Sequence, residues 1–339
     1  MALHPLAPFA LRLPARAWAL ALPACLATAL AAGAAQAQTS APAHTTPAAP
    51  AAQGSDDIAW LEKTRHYTYG ASHWLASSVD GWFGNKPFDA HGKVSGFVRV
   101  NTLWEQHDGF KANVKFRLHA DLPNLQNRAY AFVGQDNKRE VVTDQPEHFS
   151  REQLLLREDR KEDQSFFAGL GYAFMDDVDF RLGFRGGLKP YAQVRYKAQW
   201  ALSPRDTIFL RESLFWSSRD SLGSTTVVDY EHTLSPTLLA RWSTVGTITR
   251  RSDGLEWQSS VGLIKALPRL RTASIEALVQ GRTGSVDISN YGARASWRQP
   301  IYKDWLFGKV SLGHFWPKDK THLERDRSWA VGASVEMHF

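Results

Sequence analysis

The amino-acid sequence predicts an all-β fold, a transmembrane antiparallel β-barrel of about 14 strands (roughly 12 to 16), preceded by a short helical segment. From residue 94 onward, segments with alternating apolar and polar residues follow one another, and alternate residues of a strand face opposite sides. These segments are about 10 to 13 residues long, which suits a tilted strand crossing a bilayer better than a strand of a soluble protein. Their connections alternate broadly between compact turns and longer charged loops.

Residues 1–37 are predicted to be a secretory signal peptide. Two arginines precede an apolar stretch from residue 17 to about residue 32, and an A-x-A cleavage site follows at 35–37. The only cysteine of the chain, Cys25, lies in that stretch, so the mature chain is expected to contain no disulfide and no reactive thiol. Lipoprotein processing at Cys25 is the competing interpretation, which Pro23 disfavours.

Three regions follow the signal peptide. Residues 38–55 are rich in alanine and proline and are predicted to be a flexible linker. Residues 56–93 have apolar residues at irregular, near-helical intervals, which predicts a helical segment that either plugs the barrel or lies at the periplasmic membrane face. Residues 94–339 are predicted to form the barrel. The mean hydropathy of -0.34 excludes a bundle of membrane-spanning helices, because the only long apolar run is the N-terminal one.

Fourteen strands are predicted within the barrel region. With both ends of the barrel in the periplasm, the even-numbered connections should be short periplasmic turns and the odd-numbered ones surface loops, of which 136–163 is the longest. The predicted strands are residues 94–106, 110–122, 127–135, 164–174, 178–188, 190–201, 206–217, 222–233, 236–248, 255–266, 270–282, 287–298, 304–316 and 327–339.

Aromatic residues near the ends of the predicted strands indicate two membrane interfaces. The chain has 13 tryptophans, and amphipathic aromatic rings prefer the boundary between lipid and water. The rings predicted at the periplasmic rim are Trp200, Trp297, Trp305, Phe174, Phe180 and Phe339. Those predicted at the outer rim are Trp104, Trp216, Trp257, Trp316 and Trp329.

The last stretch of the sequence, residues 328–339, is the clearest strand. One face includes Trp329, Val335, Met337 and Phe339, and the opposite face is small or polar. A soluble all-β protein could also end on such a strand. Together with the signal peptide and the aromatic girdles, it resembles the C-terminal strand of bacterial outer-membrane β-barrel proteins. The resemblance implies location in the cell outer membrane and insertion by the barrel-assembly machinery, for which these four residues would be the insertion signal.

A second, narrower likeness involves two short stretches. Residues 299–307 read Q-P-I-Y-K-D-W-L-F, and the chain ends E-M-H-F at 336–339. Both stretches are similar to a group of proteobacterial outer-membrane proteins without assigned activity. This likeness implies no particular chemistry.

No constellation in the sequence predicts an enzyme. The triplet 148–150 (H-F-S) resembles the His-x-Ser of phospholipase-like barrels but lacks their asparagine some dozen residues later. Asp229, Glu231 and His232 are close in sequence but are predicted towards the periplasmic end of their strand, the wrong side for a surface protease. The 12 histidines are scattered without metal-ligand spacing, so no metal and no cofactor is expected. Phosphate-binding glycine loops and nucleic-acid motifs are absent from the sequence.

The polar faces of the predicted strands carry more cations than anions. A water-filled lumen with this excess would favour anionic solutes, although the same charges could instead pair across strands and fill the interior. The carboxylates on these faces are Asp229, Glu231, Glu256, Glu276 and Glu336, whereas Arg211 and Arg282 are further cations there. The residues predicted to line the solute path are Lys115, Arg117, Arg181, Arg185, Arg195, Lys197, Arg241, Arg294 and Arg298.

Three functions remain open from the sequence. The first is a narrow channel or binding barrel for small, anion-leaning solutes, since about fourteen strands enclose less space than the 16 to 18 of open porins. The second is a structural, envelope-maintenance barrel with a packed lumen. A barrel enzyme acting on lipid or peptide is the third and has no supporting motif. The expected partners are outer-membrane lipid and lipopolysaccharide, which suits the pI of 9.4, and the chain is expected to be a monomer.

Overall fold

The computed structural model describes residues 93–107, 109–125, 128–146, 164–252, 254–284, 288–318 and 325–339, together with the helical residues 62, 65, 66 and 69. Fourteen described strands form one closed antiparallel barrel, in which each strand pairs with the next and the last pairs with the first. The predicted fold class is therefore confirmed. None of the described helices has the length and apolar character needed to span a membrane. The predicted signal peptide and linker lie outside the described residues.

The strands have the following bounds: β1 Val94–Glu105, β2 Gly109–Leu122, β3 Ala129–Asn137, β4 Gln164–Met175, β5 Val178–Arg185, β6 Lys189–Ser203, β7 Asp206–Ser217, β8 Ser221–Ser235, β9 Leu238–Thr249, β10 Glu256–Leu267, β11 Arg271–Arg282, β12 Asn290–Tyr302, β13 Leu306–Phe315 and β14 Ser328–His338. A four-residue helix, α1, spans Lys138–Val141. We call the end of the barrel where β1 begins and β14 ends the turn end, and the opposite end the loop end.

Two predicted strands differ from the observed ones by more than one residue at both their first and their last residue. β3 was expected at 127–135 and spans Ala129–Asn137, and β12 was expected at 287–298 and spans Asn290–Tyr302. β12 continues past Pro300 because the pairing with β13 shifts register between Pro300 and Tyr302. A bulge of this kind accommodates a proline, which has no N–H group to give to the ladder.

The two faces of the wall differ in the way that the sequence alternation predicts. Most side chains on the outward face are apolar, and many are exposed, for example Leu182 at 64%, Val261 at 58% and Leu214 at 54%. Most side chains on the inward face are polar, and many are buried, among them Gln193 and Arg195. This arrangement is inverted relative to a water-soluble fold, and such an apolar outer surface is stable only against hydrocarbon.

The barrel closes where the chain ends meet. Gly96 and Phe339 exchange both backbone hydrogen bonds, at 3.0 and 3.1 Å. The ring of Phe339 lies against Gly96 so closely that a Cβ atom at position 96 would be 2.7 Å from its Cζ atom. The seam between β1 and β14 therefore requires glycine at position 96.

Aromatic side chains are exposed on the outward face near both ends of the barrel. Trp104, Trp216 and Trp329 are 46%, 45% and 49% exposed at the loop end, and Trp200 is 46% exposed near the turn end. Trp305 lies at the turn end as predicted, in the turn between β12 and β13. Its side chain is buried and not exposed at the interface, with the Arg65 guanidinium 5.3 Å from its ring centroid and Tyr302 edge-on to it.

Part of the predicted helical segment 56–93 is described and contacts the turn end. Glu62 forms an ion pair with Lys303, and Arg65 donates a hydrogen bond to the carbonyl oxygen of His338 at 3.4 Å. The Lys303 ammonium lowers the pKa of the Glu62 carboxyl below its ordinary value. Most of the segment lies outside the described residues, so its placement as a plug or at the membrane face stays a prediction.

Candidate functional site

The lumen contains residues 138–146, which follow β3 directly and which we call the inward segment. Val142 and Asp144 in this segment are 1% and 5% exposed, and the Val142 carbonyl accepts a hydrogen bond from Gln193 Nε2 on β6 at 3.1 Å. The sequence predicts a surface loop over 136–163. That prediction is wrong for its described part, which lies inside the barrel because inward-facing side chains of several strands bind it.

Buried ion pairs hold the base of the inward segment. Lys115 Nζ on β2 lies 2.9 Å from Asp136 Oδ1 and 3.0 Å from Glu140 Oε1, and all three side chains are almost completely buried. Arg117 approaches the same two carboxylates from the lumen side, with Nη2 3.6 Å from Glu140 Oε2. Two cations thus neutralise two carboxylates here, so Lys115 and Arg117 secure the inward segment to β2.

Asp144 anchors the tip of the inward segment to β6 and β7. Its Oδ1 atom accepts a hydrogen bond from Arg195 Nη2 at 2.6 Å, and Oδ2 accepts one from Ser213 Oγ at 2.6 Å. Arg211 adds a hydrogen bond from Nη2 to the Asp144 carbonyl oxygen at 2.9 Å, with Nε 3.0 Å from Oδ2. Asp144 has a φ of 54°, a left-handed conformation that aspartate tolerates better than most residues.

Two further contacts carry the segment to the far wall. Gln145 Nε2 donates a hydrogen bond to Thr247 Oγ1 on β9 at 3.2 Å, and Arg139 Nη1 lies 3.7 Å from Glu256 Oε2 on β10. In a closed ring of fourteen strands, β10 lies seven strands from β3 and therefore opposite it. The inward segment thus crosses the lumen and narrows it.

Cations outnumber carboxylates in the ion pairs that face the lumen or bind the inward segment. Among the described residues, thirteen cations share eight carboxylates. The cations are Arg99, Lys115, Arg117, Arg139, Arg181, Arg185, Arg195, Lys197, Arg211, Arg241, Arg282, Arg294 and Arg298. The carboxylates are Asp136, Glu140, Asp144, Asp179, Asp220, Glu256, Glu276 and Glu336.

The largest local excess, two of the five surplus cations, lies around Asp179 and Asp144. We call Asp179, Arg181, Arg195 and Lys197, on β5 and β6, the Asp179 cluster. The Asp179 carboxylate lies 3.8 Å from Arg181 Nε, 3.9 Å from Arg195 Nη1 and 3.8 Å from Lys197 Nζ. Arg195 also binds Asp144, which it shares with Arg211, so four cations meet two carboxylates here and leave a net positive charge beside the tip of the inward segment. The Lys197 side chain is 53% exposed, so this charge is presented to the solvent in the lumen.

The remaining residues predicted to line a solute path also face inward, each beside a carboxylate. Arg185 lies 3.7 Å from Asp220, Arg241 lies 3.3 Å from Glu276, Arg294 pairs with the same Glu276, and Arg298 lies 3.7 Å from Glu336. The structure therefore divides the nine predicted residues into those of the Asp179 cluster, those that bind the inward segment, and those that pair elsewhere along the wall.

Sequence reasoning missed five acidic residues of this site, one of which is Asp220 in the turn between β7 and β8. Asp179 lies on the inward face of β5, so strict alternation from Arg181 would have placed it there. Asp136, Glu140 and Asp144 lie at or after the end of β3, where no periodicity indicates that the chain turns into the lumen.

The described residues that the sequence suggested for catalysis do not come together in one catalytic site. The triplet at 148–150 lies outside the described part of the chain. Asp229 and His232 are three residues apart on β8 and face opposite sides of the wall, so they do not form one site. His232 Nδ1 lies 2.6 Å from Asp206, and the Ser203 hydroxyl donates to that same carboxylate. Across the described ranges, no group of three or more His, Cys, Asp or Glu side chains is arranged to hold a metal ion.

Comparisons with known proteins found only distant structural likenesses to other barrels. A scan against protein-family models found no match, and a search of curated proteins found no significant one. Among solved structures, Pseudomonas putida OprB at low pH is 11% identical with a TM-score of 0.44, covering 74% of this chain and 94% of its own. Vibrio cholerae OmpT is 9% identical with a TM-score of 0.43, and the match covers 73% of this chain and 97% of OmpT. The KdgM porin is 8% identical with a TM-score of 0.36, and the match covers 72% of this chain and 99% of the porin. We base no functional conclusion on likenesses this distant.

Proposed function

We propose that the chain forms a narrow outer-membrane channel for small solutes, with anions favoured. The observation that carries this proposal is the inward segment, residues 138–146, which crosses the lumen and ends beside the net positive Asp179 cluster. A solute that enters the lumen must pass the remaining space, whose walls are polar and predominantly cationic.

Size and charge support a restricted passage over an open pore. A barrel of about eight strands is filled by its own side chains, whereas one of 16 to 18 strands keeps an aqueous channel. Fourteen strands lie between these cases, and the inward segment removes part of the enclosed space. In a narrow passage with low-dielectric walls, a few uncompensated cations raise the local concentration of anions.

The reversal potential of the purified mature protein in a planar bilayer under a KCl gradient tests this proposal. We expect a small single-channel conductance with a reversal potential on the anion-selective side. Lys197→Glu should move the reversal potential towards cation selectivity, because this exposed side chain faces the lumen. Lys265→Glu is the matched control, since Lys265 faces outward near the turn end and binds Thr237 at 2.8 Å. The absence of conductance, or cation selectivity in the unmodified protein, would refute the proposal.

The second candidate is a structural barrel with a packed interior, and two observations favour it. Most inward-facing cations are already beside carboxylates, and buried apolar side chains cluster on the inward face near the loop end. The members of this apolar cluster are Val227, Val245, Leu278, Phe315 and Ala330. A packed barrel would conduct no ions, and Arg294→Glu would lower its stability with no selectivity to alter.

The location and partners form part of the same proposal. We place the mature chain in the cell outer membrane, surrounded by lipid and lipopolysaccharide and inserted by the barrel-assembly machinery. The exposed apolar outward face and the aromatic girdles support this placement. Recovery of the processed chain only in the soluble periplasmic fraction would contradict it. We propose no enzymatic activity and no cofactor.

A further inference from the structure

A carboxylate occupies the middle of the lipid-facing wall. The outward residues of β7 are Asp206, Ile208, Leu210, Glu212, Leu214 and Trp216. Ile208 pairs with the girdle residue Trp200, and Glu212 lies midway between Ile208 and the girdle residue Trp216. About 13 Å of strand separates Glu212 from each of these two residues, so it lies near the midplane of an apolar band about 25 Å tall. Among the described strands, the other outward-facing residues with ionisable charge lie near strand ends: Asp206, His232, Lys265, Arg271 and His314.

Small polar residues surround Glu212 on the outward face and form what we call the Glu212 patch. Thr226 Oγ1 donates a hydrogen bond to Glu212 Oε2 at 2.6 Å, and the Ser224 hydroxyl donates to Oε1. Thr244 and Ser259 continue the polar surface across β9 and β10, and their hydroxyls donate to strand carbonyls at 3.1 and 3.4 Å. Most of the surrounding outward residues are apolar, so the Glu212 patch is a local departure from a lipid-compatible surface.

Acyl chains offer no donor to a carboxylate, and a charged group facing hydrocarbon is costly. The two hydroxyls of β8 compensate part of that cost, and a protein surface with a further donor would compensate more. Tyr196 supplies such a donor on this chain. It pairs directly with Glu212 across β6 and β7, points outward and is 43% exposed.

We propose that a second copy of this chain packs against the outward face of β6 and β7. A two-fold axis along the membrane normal between these strands would set Tyr196 of one copy opposite Glu212 of the other, and the same contact would occur twice. Ala192 and Ala198 on the outward face of β6 are small, which allows the two walls to approach closely. The inference departs from the expectation of a monomer and does not depend on the proposed channel function.

Cross-linking in native membranes tests the pairing. The variant Ala198→Cys places a thiol beside the proposed axis, and Val310→Cys places one on the outward face of β13, six strands from β7. With a short bismaleimide, we expect a cross-linked dimer from Ala198→Cys and none from Val310→Cys. Native mass spectrometry of the unmodified protein in mild detergent should give the mass of two chains.

A third variant tests the role of the carboxylate. Glu212→Leu makes the patch compatible with lipid, so we expect at least tenfold less cross-linking of Ala198→Cys while the barrel remains folded and its single-channel conductance is unchanged. A monomeric mass, a ladder beyond the dimer, or equal cross-linking at positions 198 and 310 would overturn the proposal. These outcomes are decided by Ala198→Cys and the unmodified chain even if Glu212→Leu does not fold.

Discussion

At the residue scale, Asp144 holds the inward segment in place. Asp144→Asn keeps the shape of the side chain but removes the charge that Arg195 and Arg211 share. Breaking a buried ion pair costs about 3 kcal/mol, and somewhat less here because Arg211 is partly exposed. We expect the segment to leave its site and the single-channel conductance to rise. Asp304→Asn, an exposed turn residue at the barrel rim, is the control, and an unchanged conductance for Asp144→Asn would contradict this role.

Tyr130 depends on a glycine in the neighbouring strand. Its ring lies across Gly171, where a Cβ atom would be 2.0 Å from the Tyr130 Cζ atom, and its hydroxyl contacts Arg181 Nε at 2.7 Å. Gly171→Ala should displace the ring, break that hydrogen bond and destabilise the barrel by about 1–3 kcal/mol, measured as the midpoint of urea unfolding from lipid vesicles. Gly186→Ala, whose Cβ would meet only Ser165 at 3.4 Å, should leave the midpoint unchanged.

The sequence allowed the inward-facing cations to be predicted because strand alternation assigns each residue to a face. Arg181, Arg195 and Lys197 were placed in the lumen by parity alone. Asp144 could not be predicted, since its position depends on partners that are 51 to 69 residues away in sequence. The alternation of residues along a strand also does not show whether an inward-facing cation contacts water or a carboxylate.

At the element scale, the terminal strand has two separable roles. Phe339→Ala removes the predicted insertion signal but leaves the backbone bonds between Gly96 and Phe339. We therefore expect less protein in the outer membrane of cells, whereas the purified variant should still fold in lipid vesicles. Gly96→Ala should lower both the amount of protein in the outer membrane and folding in lipid vesicles. Its Cβ would lie 2.5 Å from the Arg117 carbonyl oxygen and also close to the Phe339 ring. Normal outer-membrane levels of Phe339→Ala would refute the insertion-signal hypothesis.

The number of strands could be predicted because each one repeats the same alternation over a membrane-spanning length. The predicted strand ends were less accurate where a residue typical of turns lies in a segment that pairs with its neighbouring strand. Pro300 indicates a turn in the sequence, but a bulge lets β12 run on to Tyr302. The direction of the loop after β3 was wrong for a similar reason, since its charged residues suit either solvent or a polar lumen.

At the scale of the whole molecule, the outward face is expected to contact lipid. Val261 is the central outward residue of β10 and is 58% exposed. On the surface of a soluble protein, an exposed valine is replaced by arginine at almost no cost. Facing the midplane of a bilayer, Val261→Arg should destabilise the barrel by about 2–4 kcal/mol in vesicle unfolding. Lys265→Arg near the turn end should have almost no effect, and an equally small effect at position 261 would contradict the inverted arrangement.

The most direct test of the restricted channel is the position of the inward segment itself. In the double variant Gln145→Cys/Thr247→Cys, a short bismaleimide should join the segment to β9 in the protein folded in vesicles, because these side chains are in contact across the lumen. The joined protein should keep the small conductance of the unmodified chain, since the cross-link fixes an arrangement that already exists. Absence of the cross-link in folded protein, or a large conductance with the cross-link in place, would contradict the account.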